Sequence, residues 1–121
     1  MVNTIEYPFG KAYCHERFVY FERAPFQDLS AAQVKILMRD INAFYLNKKF
    51  VYISNRKMPT KIDISSYKHL NKKQMAALAI VTDEPDAEKT LLQEQELYDG
   101  PFAFFKTLDQ AISWAKTFNL D

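Results

Sequence analysis

The sequence predicts one α/β domain, a mixed sheet of about five strands in the order β-β-α-β-α-β-α-β-α. Two short apolar runs without polar alternation, at 50–54 and 76–82, are typical of strands covered on both faces. Helix-like segments follow each later strand, which predicts parallel pairing through right-handed crossovers. No linker, internal repeat or low-complexity stretch interrupts the pattern, so we expect a single domain over residues 1–121.

The N-terminal segment predicts an antiparallel hairpin at one edge of this sheet. Apolar residues alternate with polar or small ones at 5–9, and Gly10 interrupts them before the pattern resumes at 11–14. This arrangement predicts one strand that is bent or bulged at the glycine. Its partner is expected at 18–22, because the three residues between the strands match the length of a hairpin loop.

A long amphipathic helix is expected after the hairpin. Asp28 or Ser30 can serve as its N-cap, and its pattern continues to about Leu46. The apolar residues on one helical face are Val34, Leu37, Met38, Ile41, Phe44 and Tyr45. A single apolar face of this kind predicts a helix that lies on the sheet.

Three further helices are expected along the rest of the chain. Asp63 is a candidate N-cap for a short helix that ends near Asn71. The segment 86–97 is predicted to be a surface helix because its apolar stripe is thin. That stripe consists of Ala87, Leu91, Leu92 and Tyr98. A last strand at 102–106 then leads to a final helix that Thr107 caps.

Composition and charge exclude several classes of function. The 16 basic and 15 acidic side chains give a net charge of +1, so no global field favours nucleic acid. One cysteine, Cys14, permits neither an intrachain disulfide nor a cysteine-rich zinc site, and two glycines permit neither a P-loop nor a dinucleotide fingerprint. We therefore expect no cofactor and no metal.

The distribution of apolar residues bears on location. The first nine residues lack the basic and apolar regions of a secretory signal. No apolar run approaches the roughly 20 residues of a membrane-spanning helix, so stable membrane insertion is not expected. Together with the single cysteine, these features favour the cytoplasm.

Two stretches of the chain resemble a known family. The first is Phe50-Val-Tyr-Ile-Ser-Asn-Arg-Lys57, followed by Ile62, Asp63, Ile64 and Tyr67, and the second comprises Gly100, Pro101, Phe102, Phe105, Asp109, Ala111 and Trp114. Both resemble the SpoIIAA-like small proteins, which are grouped with the STAS and Sec14-type domains. The resemblance covers roughly residues 4–118 and implies a STAS-like fold, a small mixed sheet with helices packed on it.

The resemblance also implies a possible phosphorylation site. In the anti-anti-sigma members of the wider group, a serine at the start of the helix after the third strand is phosphorylated and controls binding to a kinase partner. The matching place in this chain is Asp63-Ile64-Ser65-Ser66, so Ser65 and Ser66 are the candidate phosphosites. The chain departs from the family pattern there, because it lacks the Ser-Gly pair and continues with Tyr67.

The candidate binding site is the loop after the strand at 50–54. Asn55, Arg56 and Lys57 follow this strand, and Asp63 and Tyr67 belong to the short helix beyond the loop. Open α/β sheets bind ligands at the carboxyl ends of their parallel strands, and a helix N-terminus attracts anions. The alternative interpretation is a solvated basic loop in which Asn55 holds a turn.

These features favour a non-enzymatic STAS-like regulatory or binding module that contacts an unknown protein partner and can form a homodimer. The alternative is a carrier of a small apolar or lipid-like ligand, which the Sec14 association and the ten Phe and seven Tyr residues suggest. A small enzyme is the weaker alternative, since no nucleophile, base and oxyanion-binding set is recognisable.

Overall fold

A computed structural model gives the fold and describes residues 2–25, 28–56, 64–70, 73–84 and 86–120. Within these ranges six strands form one sheet in chain order: β1 (Asn3–Tyr7), β2 (Gly10–Cys14), β3 (Phe18–Arg23), β4 (Phe50–Asn55), β5 (Met75–Val81) and β6 (Phe102–Phe105). The α-helices of these ranges are α1 (Ala31–Tyr45), α2 (Glu88–Leu97) and α3 (Leu108–Ala115), and a 3₁₀ helix covers Ile64–His69.

The pairing of the strands confirms the predicted mixed sheet. The pairs β1–β2 and β2–β3 are antiparallel, whereas β3, β4, β5 and β6 pair in parallel. The strand count differs from the prediction, because the segment expected as one bent strand forms two. Tyr7 pairs with Gly10 across a two-residue turn at Pro8 and Phe9, and Gly10 begins β2 with a φ of +152°, which favours glycine.

Crossover handedness explains which face each helix covers. The parallel strands advance in one direction across the sheet, so right-handed crossovers place α1, the 3₁₀ helix and α2 on the same face. The core of that face includes Phe21, Leu37, Ile41, Phe50, Leu78 and Tyr98. On the other face α3 contacts β4, β5 and β6, and its Ala111 and Ala115 pack against Val51, Ile53 and Ala79.

The boundaries of α1 agree closely with the predicted helix. Of the two candidate N-caps, Ser30 caps it: Ser30 Oγ accepts from the Gln33 N–H at 3.2 Å, and Gln33 Oε1 accepts from the Ser30 N–H at 3.0 Å. Of the predicted inward residues, Phe44 alone is not buried, and 41% of its surface is exposed. The last turn of α1 therefore presents an aromatic side chain to solvent.

A strained turn ends α1. Leu46 has φ 54° and ψ −112°, and the Lys48 N–H donates to the Tyr45 carbonyl at 2.9 Å. These values describe a type II′ turn with Leu46 at the position that normally requires glycine. The side chain of Leu46 is 75% exposed, so packing does not offset the strain.

Replacing Leu46 by glycine is expected to raise the free energy of unfolding by about 0.5–2 kcal/mol, because relief of strain exceeds the added entropy of the unfolded chain. Urea denaturation measures the change. Leu92→Gly is the matched control: Leu92 is 50% exposed within α2, where glycine should cost about 1 kcal/mol. A loss of stability in Leu46→Gly would contradict the described turn.

The single cysteine lies in the core. Cys14 is fully buried, and burial raises the pKa of its thiol to about 11. Because an unfolded thiol ionises near pH 8.5, the stabilisation from keeping this thiol neutral is complete below that pH and is lost as pH rises towards 11.

We expect the stability difference between the wild type and Cys14→Ala to shrink by about 2 kcal/mol between pH 8 and pH 11. Chemical denaturation of both proteins across this range measures it. A difference that stays constant with pH would show that the thiol of Cys14 ionises normally in the folded protein.

None of the helices in the described ranges is both long enough and apolar enough to cross a membrane.

Candidate functional site

A buried ion pair lies at the carboxyl end of β4. Arg56 directly follows this strand, and its backbone N–H extends the parallel ladder by donating to the Val81 carbonyl at 2.8 Å. Its Nη1 and Nη2 donate to Glu94 Oε2 and Oε1, each at 2.7 Å. The side chains of Arg56 and Glu94 are 11% and 2% exposed, so this bidentate pair is largely removed from water.

Two hydroxyl groups complete the arrangement. Tyr67 donates to Glu94 Oε1 at 2.7 Å, and Arg56 Nε donates to Ser54 Oγ at 3.1 Å. We call Ser54, Arg56, Tyr67 and Glu94 the buried network. It connects β4, the 3₁₀ helix and α2 through four short hydrogen bonds.

The electrostatics of the buried network favour one charge state. Burial alone would lower the pKa of Arg56, but hydrogen bonding and attraction to Glu94 raise it above its ordinary value. Burial, together with the neighbouring Glu94 carboxylate, raises the pKa of Tyr67 far above its ordinary value. Arg56 therefore stays charged and Tyr67 stays a neutral donor.

The sequence positions these side chains through two periodicities. Alternation along β4 directs Ser54 towards the face that carries α2, and Arg56 continues the same alternation. On α2, Glu94 lies three residues after Leu91 and four before Tyr98, so all three occupy one helical face. The predicted stripe had Leu92 in place of Glu94; Leu92 is instead exposed, and a carboxylate occupies the core position.

Two cavities flank Arg56. One, of about 30 Å³, lies beneath the 3₁₀ helix and has room for a water molecule or two. Its lining is mostly apolar and includes Leu29, Val34, Met38, Tyr52, Leu70 and Leu78. The other, of about 100 Å³, is a polar depression whose lining includes Thr82, Glu84, Asp86, Thr90 and Glu94.

A second arginine lies near the buried network. Arg23 ends β3 on the same face, and its Nε and Nη1 are buried with no hydrogen-bond partner among the residues that the structure describes. Burial and then repulsion from Arg56 lower the pKa of Arg23. Two guanidinium groups therefore approach each other at this end of the sheet, with Glu94 bound to one of them.

The structure unites part of the predicted site. Arg56 and Tyr67 meet through Glu94, whereas Asn55 lies on the opposite face of β4, where its Nδ2 is 3.5 Å from Glu22 Oε1. The solvated basic loop was the alternative interpretation, and it does not describe Arg56, whose side chain is 11% exposed and paired with Glu94. Lys57 and Asp63 lie outside the described residues.

The two predicted phosphosites differ in accessibility. Ser65 is exposed, while Ser66 is 4% exposed and faces the small cavity beneath the 3₁₀ helix. A kinase could reach the hydroxyl of Ser65 in the folded chain, but Ser66 would first require local opening.

Comparison with known proteins identifies the fold. A solved structure with similar architecture is an uncharacterized protein of the DUF3478 family from Shewanella loihica PV-4, described as having a SpoIIAA-like fold. The match has a TM-score of 0.60 and covers 95% of this chain and 92% of that one. This chain has a SpoIIAA-like fold. The resemblance seen in the sequence is thus confirmed at the level of the fold.

The same comparison is limited to architecture. Because the two sequences are 14% identical, the structural match shows a shared SpoIIAA-like fold alone. The roles of individual residues are not transferred from one protein to the other. Neither a scan against protein-family models nor a search of curated proteins finds a match.

Proposed function

We propose that this SpoIIAA-like domain is a non-enzymatic binding module that contacts a partner protein at the carboxyl ends of β4 and β5. The observation that carries the proposal is the buried network. Its Arg56–Glu94 pair joins the 3₁₀ helix, which follows β4, and α2, which follows β5. Burying an ion pair has a large desolvation penalty, and proteins in which hydrophobic residues replace such a pair are often at least as stable. We therefore infer that the pair is useful because it fixes geometry. Here it fixes the 3₁₀ helix and α2 relative to the end of β4.

The contact surface consists of exposed residues beside the buried network. Asp83, Glu84 and Asp86 follow β5 and are exposed; we call them the acidic rim. Ser65 is exposed on the neighbouring 3₁₀ helix. A rim of one sign favours a partner whose contact surface is basic, because complementary charge steers association and excludes wrong partners.

Ser65 suits a regulatory role on this surface. Phosphate on its hydroxyl would add negative charge to an already acidic surface, which would alter attraction to a basic partner. Recognition by apolar ligands receives less support, because the apolar cavity beside the buried network is about 30 Å³ and the other cavity there, of about 100 Å³, is polar. Ligand pockets usually measure roughly 300–1,000 Å³.

Affinity capture from a lysate of the native host tests the proposed surface. The variant Asp83→Lys/Glu84→Lys reverses two charges of the acidic rim, and Glu16→Lys/Glu96→Lys reverses two exposed charges elsewhere. We expect the wild type and the control to retain the same protein, and the rim variant to retain at least tenfold less of it. Equal capture by all three proteins would contradict the proposed surface, and self-capture would identify the partner as a second copy.

A further inference from the structure

The edge of the sheet opposite the acidic rim is basic. At this edge the parallel strands begin, and α1, α2 and α3 end. Among the described residues, the exposed cations there are Arg17, Lys48, Lys49, Lys73 and Lys116, and the neighbouring acidic residues are Glu16, Glu96 and Asp99. Exposed cations therefore outnumber acidic side chains among the described residues of this edge. We call it the basic edge.

Two apolar side chains project from the basic edge. Leu46, at 75%, is the most exposed of the large apolar residues in the described ranges, and Phe44 is 41% exposed beside it. Leu46 also occupies the strained position of the type II′ turn, which glycine would occupy at lower cost. A strained residue whose side chain packs poorly against its own protein suggests a role outside it.

Hydrogen bonds hold this projection in place. Gln74 Nε2 donates to the Leu46 carbonyl at 2.7 Å and to the Asn42 carbonyl at 3.1 Å. The Tyr45 hydroxyl lies within 2.6 Å of the His15 carbonyl oxygen, which ties α1 to the turn that carries Arg17. These bonds therefore join the turn that carries Leu46 to the segments that carry Arg17 and Lys73.

Open depressions separate the apolar projection from the cations. One of about 470 Å³ is bordered by Phe44 and Leu46, and another of about 490 Å³ by Arg17, Lys48 and Lys49. They meet at Glu16, Asn47 and Lys48. The second depression offers three cations within reach of an anionic group.

We propose that the basic edge docks on the surface of an anionic membrane. Leu46 and Phe44 enter the boundary between headgroups and acyl chains, while Arg17, Lys48 and Lys49 contact lipid phosphates. Peripheral binding of useful strength needs both an apolar and an electrostatic contribution, and this edge presents both. Docking in this way would turn the acidic rim towards solvent, so the two proposed surfaces do not compete.

Vesicle co-sedimentation tests the proposal with the intact chain. The wild type should bind phosphatidylcholine vesicles that contain about one third phosphatidylglycerol, should not bind pure phosphatidylcholine, and should be released by high salt. Lys48→Gln/Lys49→Gln should weaken binding about 30-fold, since each cation near an anionic surface contributes about 1 kcal/mol.

Leu46→Gly is the decisive variant because it is expected to be more stable than the wild type. Misfolding would therefore not explain a loss of vesicle binding by this variant. It should weaken vesicle binding more than tenfold through the lost burial of the leucine side chain. Leu92→Gln and Lys89→Gln, both exposed on α2, should bind as the wild type does.

Three results would overturn the membrane proposal. The first is a wild type that fails to bind anionic vesicles, as expected if a protein covers this edge instead. The second is equal binding to neutral and anionic vesicles. The third is unchanged binding by Leu46→Gly, which would indicate electrostatic adsorption without insertion.

Discussion

Glu94→Gln is expected to lower the free energy of unfolding by about 3–5 kcal/mol, because it leaves the Arg56 guanidinium buried without its counter-charge. The amide oxygen can accept at most two hydrogen bonds where the carboxylate accepts three, from Arg56 Nη1, Arg56 Nη2 and Tyr67, and the amide nitrogen would face an N–H donor. Urea denaturation followed by circular dichroism measures the loss.

Two further variants make the test of the buried network specific. Glu96→Gln makes the same chemical change two residues later at an exposed position and should alter stability by less than about 0.5 kcal/mol. Arg56→Met/Glu94→Leu removes both charges and should recover most of the loss. A change below about 1 kcal/mol in Glu94→Gln would show that water reaches the pair and that the described burial is incorrect.

Gly10→Ala should lower the free energy of unfolding by about 3–5 kcal/mol through two separate effects. Its φ of +152° is a conformation that side-chain-bearing residues rarely adopt. A Cβ atom there would also overlap the Glu22 carbonyl oxygen and lie 2.5 Å from Phe21 Cζ. Because the obstruction includes backbone of β3, rotation of a side chain would not relieve it.

Gly100→Ala separates the two effects, since Gly100 has the same φ of +152°. A Cβ atom at that position would lie 3.0 Å from the nearest atom of the Tyr98 ring, so it lacks the overlap with a backbone oxygen. Gly10→Ala should therefore lower the free energy of unfolding by about 1–3 kcal/mol more than Gly100→Ala does, as measured by thermal or urea denaturation. Equal losses would mean that backbone conformation alone explains the requirement for glycine at residue 10.

Hydrophobic patterning was enough to predict the strands and helices of the parallel half. The runs at 50–54 and 76–82 differ from β4 and β5 by a residue at their ends, because buried strands have few polar positions to confuse the pattern. The hairpin β1–β2 was missed because Pro8-Phe9 carries none of the usual hairpin-turn residues. Gly10 was recognised as a break, but the direction of the chain after it depends on contacts with β3.

The candidate site was predictable in position but not in its chemistry. The carboxyl end of β4 follows from the general rule for parallel sheets, which led to Arg56 and Tyr67. Glu94 does not follow from the pattern of α2, because an apolar stripe excludes a carboxylate, whereas Glu94 itself occupies the core position between Leu91 and Tyr98. Two features together could have predicted Glu94. It is a charged residue at the spacing of the buried face of α2, and an arginine, Arg56, follows a neighbouring buried strand.

Site-specific photo-crosslinking in the native host tests most directly whether the carboxyl-end edge of β4 and β5 contacts a protein. A photoreactive amino acid would replace Asp83 in the acidic rim or, as the control, exposed Glu96 on α2. We predict that position 83 gives a discrete crosslinked species, identifiable by mass spectrometry, that position 96 does not give. The same background pattern from both positions would contradict the account.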